Sequence, residues 1–341
     1  MAKLGKYVAI KTGKLDANAA IENGKYPFFT CSVTPLRIDD FSYDCECVLV
    51  AGNGDLNVKY YYGKFDAYQR TYIIESNDKT LLTVPYLYFF LEKYIETLRK
   101  QSFGGIIKYI RLCNLTNAEI PLCGINKQNQ ITTVLSKLNS VIEMRKKQLL
   151  KLDELVKSRF IEMFGDPVIN PFSWNTKKLL DMGYCKNGMN YHTGDYGVKI
   201  NCLGVGDFKD LFIIDNTEQL PYISLNEIPA DECMLKDEDI VFVRSNGNKE
   251  LVGRCLVVYP KNTPTTYSGF CIRYRKTSDD VNTIYLLYVL KCESIRKQML
   301  GRGANIQNLN QQILSNLIVP IPPIELQEQF SNFAKQIDKS K

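Results

Sequence analysis

The sequence has little of what most enzyme active sites and membrane anchors are built from. It contains one histidine and one tryptophan in 341 residues, so histidine triads and histidine-rich metal sites have almost no material. No stretch approaches the roughly 18 consecutive apolar residues of a transmembrane helix. The amino-terminal segment lacks the apolar run of a secretory signal, and the Walker motif for binding nucleotide phosphates is missing. We therefore expect neither a membrane protein nor an ATP-binding enzyme of that kind.

Cysteine is present in an odd number and without the spacing of a metal site. The eleven cysteines include no C-x-x-C pair, and the closest two are Cys45 and Cys47. A strand would place both on one face, which is more typical of packing than of metal ligation. Without an export signal, the sequence predicts reduced, mostly buried thiols in a cytoplasmic protein, and no metal or cofactor of its own.

Composition and charge predict an ordinary globular chain. Hydrophobic residues make up 45% and charged residues 23% of the sequence, which excludes a disordered chain. The length favours two domains with connecting segments. With 43 basic and 37 acidic side chains the net charge is +6, an excess that permits a nucleic-acid partner without requiring one.

The chain repeats itself at a constant offset of 199 residues. The matched pairs include Tyr86 and Tyr285, Leu91 and Leu290, Leu115 and Leu314, Asn117 and Asn316, Pro121 and Pro320, and Gln128 and Gln327. This period is too long for a solenoid and indicates one large unit built twice. In each copy an apolar strand leads into a Gly/Asn loop, and an aromatic helix precedes a short strand that ends in proline.

The repeat predicts an α+β fold with a pseudo-twofold internal repeat, in which two similar mixed α/β domains are separated by long coiled-coil-forming helices. The predicted segments are a first domain at 1–124, a long central helix at 125–165, a second domain at 166–323 and a distal helix at 324–341. We expect the central helix to end at Gly165, where glycine accepts a left-handed conformation and the nearby proline blocks continuation. The distal helix is shorter than the central one.

An apolar seam runs along both predicted helices. In the central helix its spacings alternate between four and three residues, which predicts pairing with another helix, whereas a wider stripe would indicate packing on its own domain. The seam residues are Ile131, Leu135, Leu138, Ile142, Leu149, Leu152, Val156 and Met163, with Leu326, Phe330, Phe333 and Ile337 in the distal helix. Because the distal helix is short, we expect the stretch from Ile142 to Met163 to pair with a partner subunit or a second copy.

Three sequence features could be taken for catalytic sites. The segment Asn170–Trp174, NPFSW, resembles the N-P-P-aromatic loop of adenine methyltransferases, but the second proline is missing and the aromatic residue is displaced. A type I turn after the end of a helix explains it at least as well. The acidic cluster Asp237–Asp239 is interpreted as a solvated turn. His192 lies in a polar stretch and is interpreted as a loop contact. The sequence therefore predicts no catalytic residue.

Polar loops recur at corresponding places in both repeats. Arg, Lys, Asn and Gln are the side chains that read base edges in the major groove, and glycine beside them lets the backbone approach phosphates. Each loop alone is typical of a surface turn, and the recurrence makes DNA contact an equal alternative. The candidate DNA-binding residues are Lys14, Asn53, Asp55, Asn57, Lys59, Gln69, Arg70, Lys108, His192, Arg244, Ser245, Asn246, Asn248, Lys249, Arg254, Arg302, Asn305, Gln307 and Asn308.

Three segments carry a resemblance to a known family. They are GANIQNLNQQILSNLIVPIPPIELQEQF at 303–330, its first-repeat version GGIIKYIRLCNLTNAEIPLCGINKQNQI at 104–131, and KLDELVKSRFIEMFGDP at 151–167. Together with the twofold repeat they resemble the DNA-specificity subunit of type I restriction–modification enzymes over essentially the whole chain. The first junction, IPLCGINKQNQ, departs from the family pattern by lacking the second and third prolines.

The resemblance implies a non-catalytic subunit that binds double-stranded DNA. Each recognition domain would bind one half of a bipartite target, and the two helices would fix the spacer. Two modification subunits would methylate adenine with S-adenosylmethionine, and restriction subunits would use ATP. Two alternatives stay open, namely an autonomous adenine methyltransferase that uses NPFSW and a coiled-coil interaction scaffold that binds no DNA.

Overall fold

The computed structural model describes residues 1–191, 196–208, 211–300 and 308–340. The chain divides into two compact units, Met1–Lys146 and Lys147–Lys341. Their boundary falls inside one continuous helix, Ile125–Phe164. No helix in the described part of the chain is both long and apolar enough to cross a membrane.

Unit 1 is built on a six-stranded mixed sheet. The unit as a whole contains the strands β1 Ala2–Lys3, β2 Val8–Thr12, β3 Tyr26–Phe29, β4 Leu36–Ile38, β5 Tyr43–Ala51, β6 Val58–Ala67, β7 Thr71–Ser76 and β8 Glu119–Ile120. It also contains the helices α1 Val84–Gln101 and α2 Leu112–Thr116 and the start of α3 Ile125–Phe164. The sheet order is β2-β7-β5-β6-β3-β4, while β1 and β8 pair separately. The pairing of β3 with β6 is parallel and the other pairings in this sheet are antiparallel.

Helix α1 covers one face of this sheet because its apolar residues recur at helical spacing. Leu87, Leu91 and Leu98 are fully buried and lie on one face of the helix. Thr83 caps the amino terminus by accepting a hydrogen bond from the Tyr86 main-chain NH at 3.4 Å. The sheet contributes the buried Val48 to the same core.

Unit 2 contains the remaining strands and helices. Its strands are β9 Asn175–Lys178, β10 Gly183–Asn187, β11 Val198–Leu203, β12 Ile213–Ile214, β13 Tyr222–Leu225, β14 Asp239–Val243, β15 Cys255–Val258, β16 Thr265–Tyr267, β17 Cys271–Lys276 and β18 Ile318–Ile321, and its helices are α4 Thr283–Lys291, α5 Glu293–Leu300, α6 Gln311–Ser315 and α7 Ile324–Lys339. One sheet has the order β10-β17-β14-β15-β12, another the order β13-β11-β16, and β9 pairs with β18.

The two units share the central part of one topology, to which unit 2 adds the edge strand β12, and this confirms the predicted duplication. The antiparallel order β17-β14-β15 in unit 2 matches β7-β5-β6 in unit 1, and the parallel pair β11–β16 matches β3–β6. Unit 2 therefore divides the counterpart of β6 into β15 and β16. Helices α6 and α7 begin 199 residues after α2 and α3, the offset found in the sequence.

The two units also match in a side chain, because each has a buried glutamine at the same position with corresponding hydrogen bonds. Gln128, near the start of α3, is fully buried, and its Oε1 accepts from the Thr83 main-chain NH at 3.0 Å. Gln327, near the start of α7, is also fully buried, and its Oε1 accepts from the Asn282 main-chain NH at 2.8 Å. The Nε2 of each glutamine donates to two main-chain carbonyls. Each glutamine thus fixes its long helix to the segment that precedes the aromatic helix.

The predicted seam of α3 is divided between solvent and core. Leu138 and Ile142 are 53% and 50% exposed, whereas Val156 is buried. Phe160 and Phe164, which lie outside the predicted spacing, are buried with ring centroids 5.3 and 5.7 Å from Phe330 of α7. The expectation that the seam is open as far as Met163 is therefore wrong for its last part, because buried residues spaced by four form a wider stripe that packs within unit 2.

The remaining seam residues follow the same division. Ile131 packs against the core of unit 1, while Leu149 is 39% exposed. In unit 2, Met163 packs partly buried against the core. Leu135 and Leu152 are partly exposed, Phe330 is buried, and Leu326, Phe333 and Ile337 pack partly buried against the core of unit 2. After Phe164 the helix ends at Gly165, which has a left-handed φ of +74° as predicted.

Candidate nucleic-acid interface

Four loops of unit 1 meet at one end of its sheet. The Gly52 main-chain NH donates to the Arg70 carbonyl at 2.8 Å, and the Gly54 NH donates to the Lys108 carbonyl at 2.9 Å. The Gln69 NH donates to the Leu15 carbonyl at 2.9 Å. These bonds bring the loops that carry Lys14, Asn53, Gln69, Arg70 and Lys108 side by side, although they are far apart in the sequence.

A glycine makes this close approach possible. A Cβ on Gly52 would lie 2.4 Å from the Arg70 carbonyl oxygen, closer than any side chain tolerates. Gly54 has a φ of +69°, a conformation that favours glycine. The sequence pattern of polar residues beside glycines therefore has a structural cause here.

Three candidate residues, Asp55, Asn57 and Lys59, mainly form bonds that hold the loop between β5 and β6 in shape. The Asn57 amide donates to the Cys31 carbonyl at 2.8 Å and accepts from the Lys59 ammonium group. Burial lowers the pKa of Lys59. Asp55 forms an ion pair with Arg99 at 3.3 Å. Asp55 is itself exposed, as are Lys14, Gln69, Arg70 and Lys108, while Asn53 is half-buried.

Unit 2 brings its own loops together in the same way. The Leu309 main-chain NH donates to the Arg244 carbonyl at 2.8 Å, and Ser245 pairs with Asn308 as an isolated antiparallel bridge. The Ser268 NH donates to the Leu203 carbonyl at 3.0 Å. The candidates Arg244, Ser245 and Asn308 therefore lie together at one end of the unit 2 sheet.

The main-chain frames of the two loop clusters correspond. In unit 1 the Ile110 NH donates to the Gly52 carbonyl at 2.9 Å, the counterpart of the bond from Leu309 to Arg244. A second matched pair links Tyr68 to Phe29 in unit 1 at 2.9 Å, as Ser268 is linked to Leu203 in unit 2. The frame is the same, but the side chains on it differ, since glycine stands at 52 where arginine stands at 244.

The other candidates of unit 2 have more varied positions. The Asn246 and Asn248 side-chain oxygens accept from main-chain NH groups at 2.8 and 3.0 Å and so shape their own turn. Lys249 is exposed. Arg254 lines a cavity of about 400 Å³ together with Lys291 of α4, where burial lowers the pKa of Lys291 to about 8. His192, Arg302, Asn305 and Gln307 lie outside the described residues.

The NPFSW segment forms a closed turn. The Asn170 Nδ2 donates to the Trp174 carbonyl at 2.8 Å, and the Asn170 Oδ1 accepts from the Trp174 main-chain NH at 2.9 Å. The Ser173 NH donates to the Asn170 carbonyl at 3.0 Å. Because both the nitrogen and the oxygen of its side-chain amide bond the main chain, Asn170 stabilises the turn after α3. Within the described residues there is also no group of three metal-ligating side chains.

Sequence reasoning missed two isoleucines beside the unit 1 cluster. Ile106 is fully exposed and Ile107 is 64% exposed, next to the candidate Lys108. The signal available in the sequence was Gly104–Gly105 followed by two apolar residues directly before Lys108. The sequence pattern singles out polar side chains as candidate DNA contacts, and these two apolar residues of the same loop fall outside it.

A family comparison identifies the chain. The model of the type I restriction modification DNA specificity domain matches residues 2–154 and again residues 173–341. The chain belongs to this family. Both units of this specificity-domain protein are thus copies of one domain, as their topology shows.

Named relatives of this specificity-domain protein come from bacteria and archaea. It is 38% identical over 155 residues to the type I restriction enzyme EcoDI specificity subunit of Escherichia coli, a match that covers 46% of this chain and 34% of the relative. It is 23% identical over 313 residues to the MjaVIII specificity subunit of Methanocaldococcus jannaschii, covering 85% and 72%. The chain thus spans about a third of the first relative and most of the second.

Two solved structures share the fold. The S subunit of a type I restriction–modification system from M. genitalium aligns with a TM-score of 0.61 and 18% identity, covering 99% of this chain and 89% of that one. A chain from a structural study of complex assembly and conformational transition of the type I system aligns with a TM-score of 0.54 and 16% identity, covering 99% and 90%. The tandem arrangement of two mixed α/β domains with a long helix between them is therefore that of the family.

Proposed function

We propose that this chain is the DNA-specificity subunit of a type I restriction–modification complex. Unit 1 binds one half of a bipartite double-stranded DNA target and unit 2 binds the other half. The chain directs two modification subunits, which methylate adenine, and the restriction subunits to that target. It performs no chemistry itself.

The observation that carries this proposal is the duplicated loop frame. Both units gather loops at one end of a sheet with matching main-chain hydrogen bonds, yet they present different side chains there. A shared frame with different readers suits a target whose two halves differ in sequence. Exposed cationic and amide side chains, such as Arg70 and Gln69, can contact phosphates and base edges.

The proposal assigns cofactors to the partners. S-adenosylmethionine would be bound by the modification subunits and ATP by the restriction subunits, while this chain needs neither. We place the complex in the cytoplasm, where it meets its DNA. The exposed part of the α3 seam around Leu138 and Ile142 is available to a modification subunit or to a second copy of the chain.

A methylation map tests the function. Genomic adenine methylation would be mapped in cells that express the cognate modification subunit alone, with this chain, and with this chain carrying Gln69→Ala and Arg70→Ala. We expect a split methylated motif only when the wild-type chain is present, and a weakened or altered first half in the variant. If the chain co-purifies with the modification subunit and the methylation map stays the same with and without it, the proposal is wrong.

A further inference from the structure

The loop 103–109, one of the clustered loops of unit 1, exposes an apolar tip that consists of Ile106 and Ile107. The loop 103–109 is closed at its base by two hydrogen bonds, from the Phe103 NH to the Tyr109 carbonyl at 2.9 Å and from the Tyr109 NH to the Phe103 carbonyl at 2.8 Å. At its end Ile106 is fully exposed and Ile107 is 64% exposed. Two adjacent β-branched apolar side chains in water are unfavourable, and burying them against an apolar group would remove that cost.

The base of the tip is firmly held. The Arg111 guanidinium lies 4.4 Å from the Phe103 ring centroid, and the Tyr72 hydroxyl donates to the Ile110 carbonyl at 3.2 Å. Gly104 has a φ of +102°, and a Cβ there would lie 2.5 Å from the Ile107 carbonyl oxygen. The turn that presents the isoleucines therefore requires glycine at this position.

The residues at the foot of this loop are hydrogen-bonded to the loop that carries Asn53, one of the candidate DNA-binding residues. Asn53 pairs with Tyr109 as an isolated antiparallel bridge, and the Gly54 NH donates to the Lys108 carbonyl at 2.9 Å. Two isoleucines thus stand beside the exposed Lys108 and the loop of Asn53. A DNA strand that reaches these polar side chains also reaches the tip.

We propose that Ile106 and Ile107 recognise a thymine in the first half-site through its 5-methyl group. This methyl group is the one apolar feature that a base pair displays in the major groove, and an apolar side chain is its natural contact. The inference rests on the proposed function. The polar neighbours favour DNA as the occupant, because an apolar protein surface would bury Lys108 and Asn53 without partners.

The test removes single methyl groups from the DNA. The full complex of this chain with its modification subunits would be titrated with duplexes in which each thymine of the first half-site is replaced in turn by deoxyuridine. We expect one replacement to weaken binding of the wild-type complex about fourfold, the value for one buried methyl-sized group. The same replacement should leave binding of the Ile106→Ser/Ile107→Ser variant unchanged, because that variant has already lost the contact.

Leu81→Ser is the matched control, because Leu81 is a 49% exposed apolar residue after the far end of β7. It should keep wild-type affinity and the wild-type response to deoxyuridine. If no replacement distinguishes the wild type from the isoleucine variant, the proposal is overturned while specific binding still supports the function. If the variant instead loses its modification subunits, the tip is a protein contact and the proposal is also overturned. If no duplex is bound specifically, the proposed function fails first.

Discussion

At the scale of single residues, Asp239 shows how a surface-like motif becomes part of the core. Its carboxylate is 1% exposed and accepts from the Arg275 Nε and Nη2 at 2.8 and 2.7 Å. The fully buried Arg273 lies 3.8 Å from the same carboxylate. The interpretation of Asp237–Asp239 as a solvated turn is therefore wrong for Asp239, because its partners come from β17, more than thirty residues later.

Removing this carboxylate should strongly destabilise unit 2. Asp239→Ala would leave two largely buried guanidinium groups without their shared anion, so we expect the free energy of unfolding to fall by about 3–5 kcal/mol. Asp279→Ala, at an exposed site, should change it by less than about 0.5 kcal/mol. Urea unfolding of both variants measures the difference, and a loss below about 1 kcal/mol for Asp239→Ala would show that the pair contributes little.

At the scale of elements, the buried glutamines at the starts of α3 and α7 should matter equally in both units. Gln128→Met would leave the Thr83 main-chain NH and two carbonyls without partners, at a cost of about 1–3 kcal/mol for each buried group that stays unpaired. Gln327→Met should have a similar effect, because the same three bonds are made in unit 2. Gln130→Met, at an exposed position two residues further along α3, is the matched control.

Hydrogen exchange measures this effect locally. We expect the Thr83 amide to exchange faster in Gln128→Met and the Asn282 amide to exchange faster in Gln327→Met, with each change confined to its own unit. If Gln130→Met accelerates the Thr83 amide as much as Gln128→Met does, the bond from the buried glutamine is not what protects it.

The long helix α3 shows that a sequence pattern can predict a helix correctly and yet miss which of its residues are buried. Spacings of four and three residues correctly predicted a continuous helix that ends at Gly165, because periodicity and a glycine stop are local properties. They missed the burial of Phe160 and Phe164, which depends on the position of Phe330 in α7. The apolar residues around Leu138 and Ile142 remain exposed, so the seam has two different environments along one helix.

At the scale of the whole molecule, the two units should act as separable readers. Replacing residues 1–124 by the corresponding domain of another specificity subunit should change one half of the methylated motif and leave the other half unchanged. The reciprocal replacement of residues 166–323 should change only the other half. Both are measured by mapping adenine methylation in cells with the modification subunit, and a single replacement that altered both halves would contradict independent reading. The predicted segment boundaries used for these exchanges remain predictions.

The sequence alone determined the duplication, the α+β class, the long helix and the family resemblance. These follow from periodicity, a fixed offset and local stop signals, which are properties of neighbouring residues or of a direct comparison of the chain with itself. It also indicated which polar loops could meet DNA. It did not indicate that the side chains of Asn57 and Asn248 hydrogen-bond to main-chain groups and shape their loops, or that Gln69 and Arg70 are exposed.

Only the tertiary structure decided which side chains are exposed for contact with a partner and which are bonded within the protein. The loop clusters depend on hydrogen bonds between segments such as Gly52 and Arg70, and the isoleucine tip depends on the turn at Gly104. Asp239 likewise finds its charge partner on another strand. Hydrogen bonding and burial are settled by groups distant in the chain, and so the same local pattern of polar residues can serve either as scaffold or as contact surface.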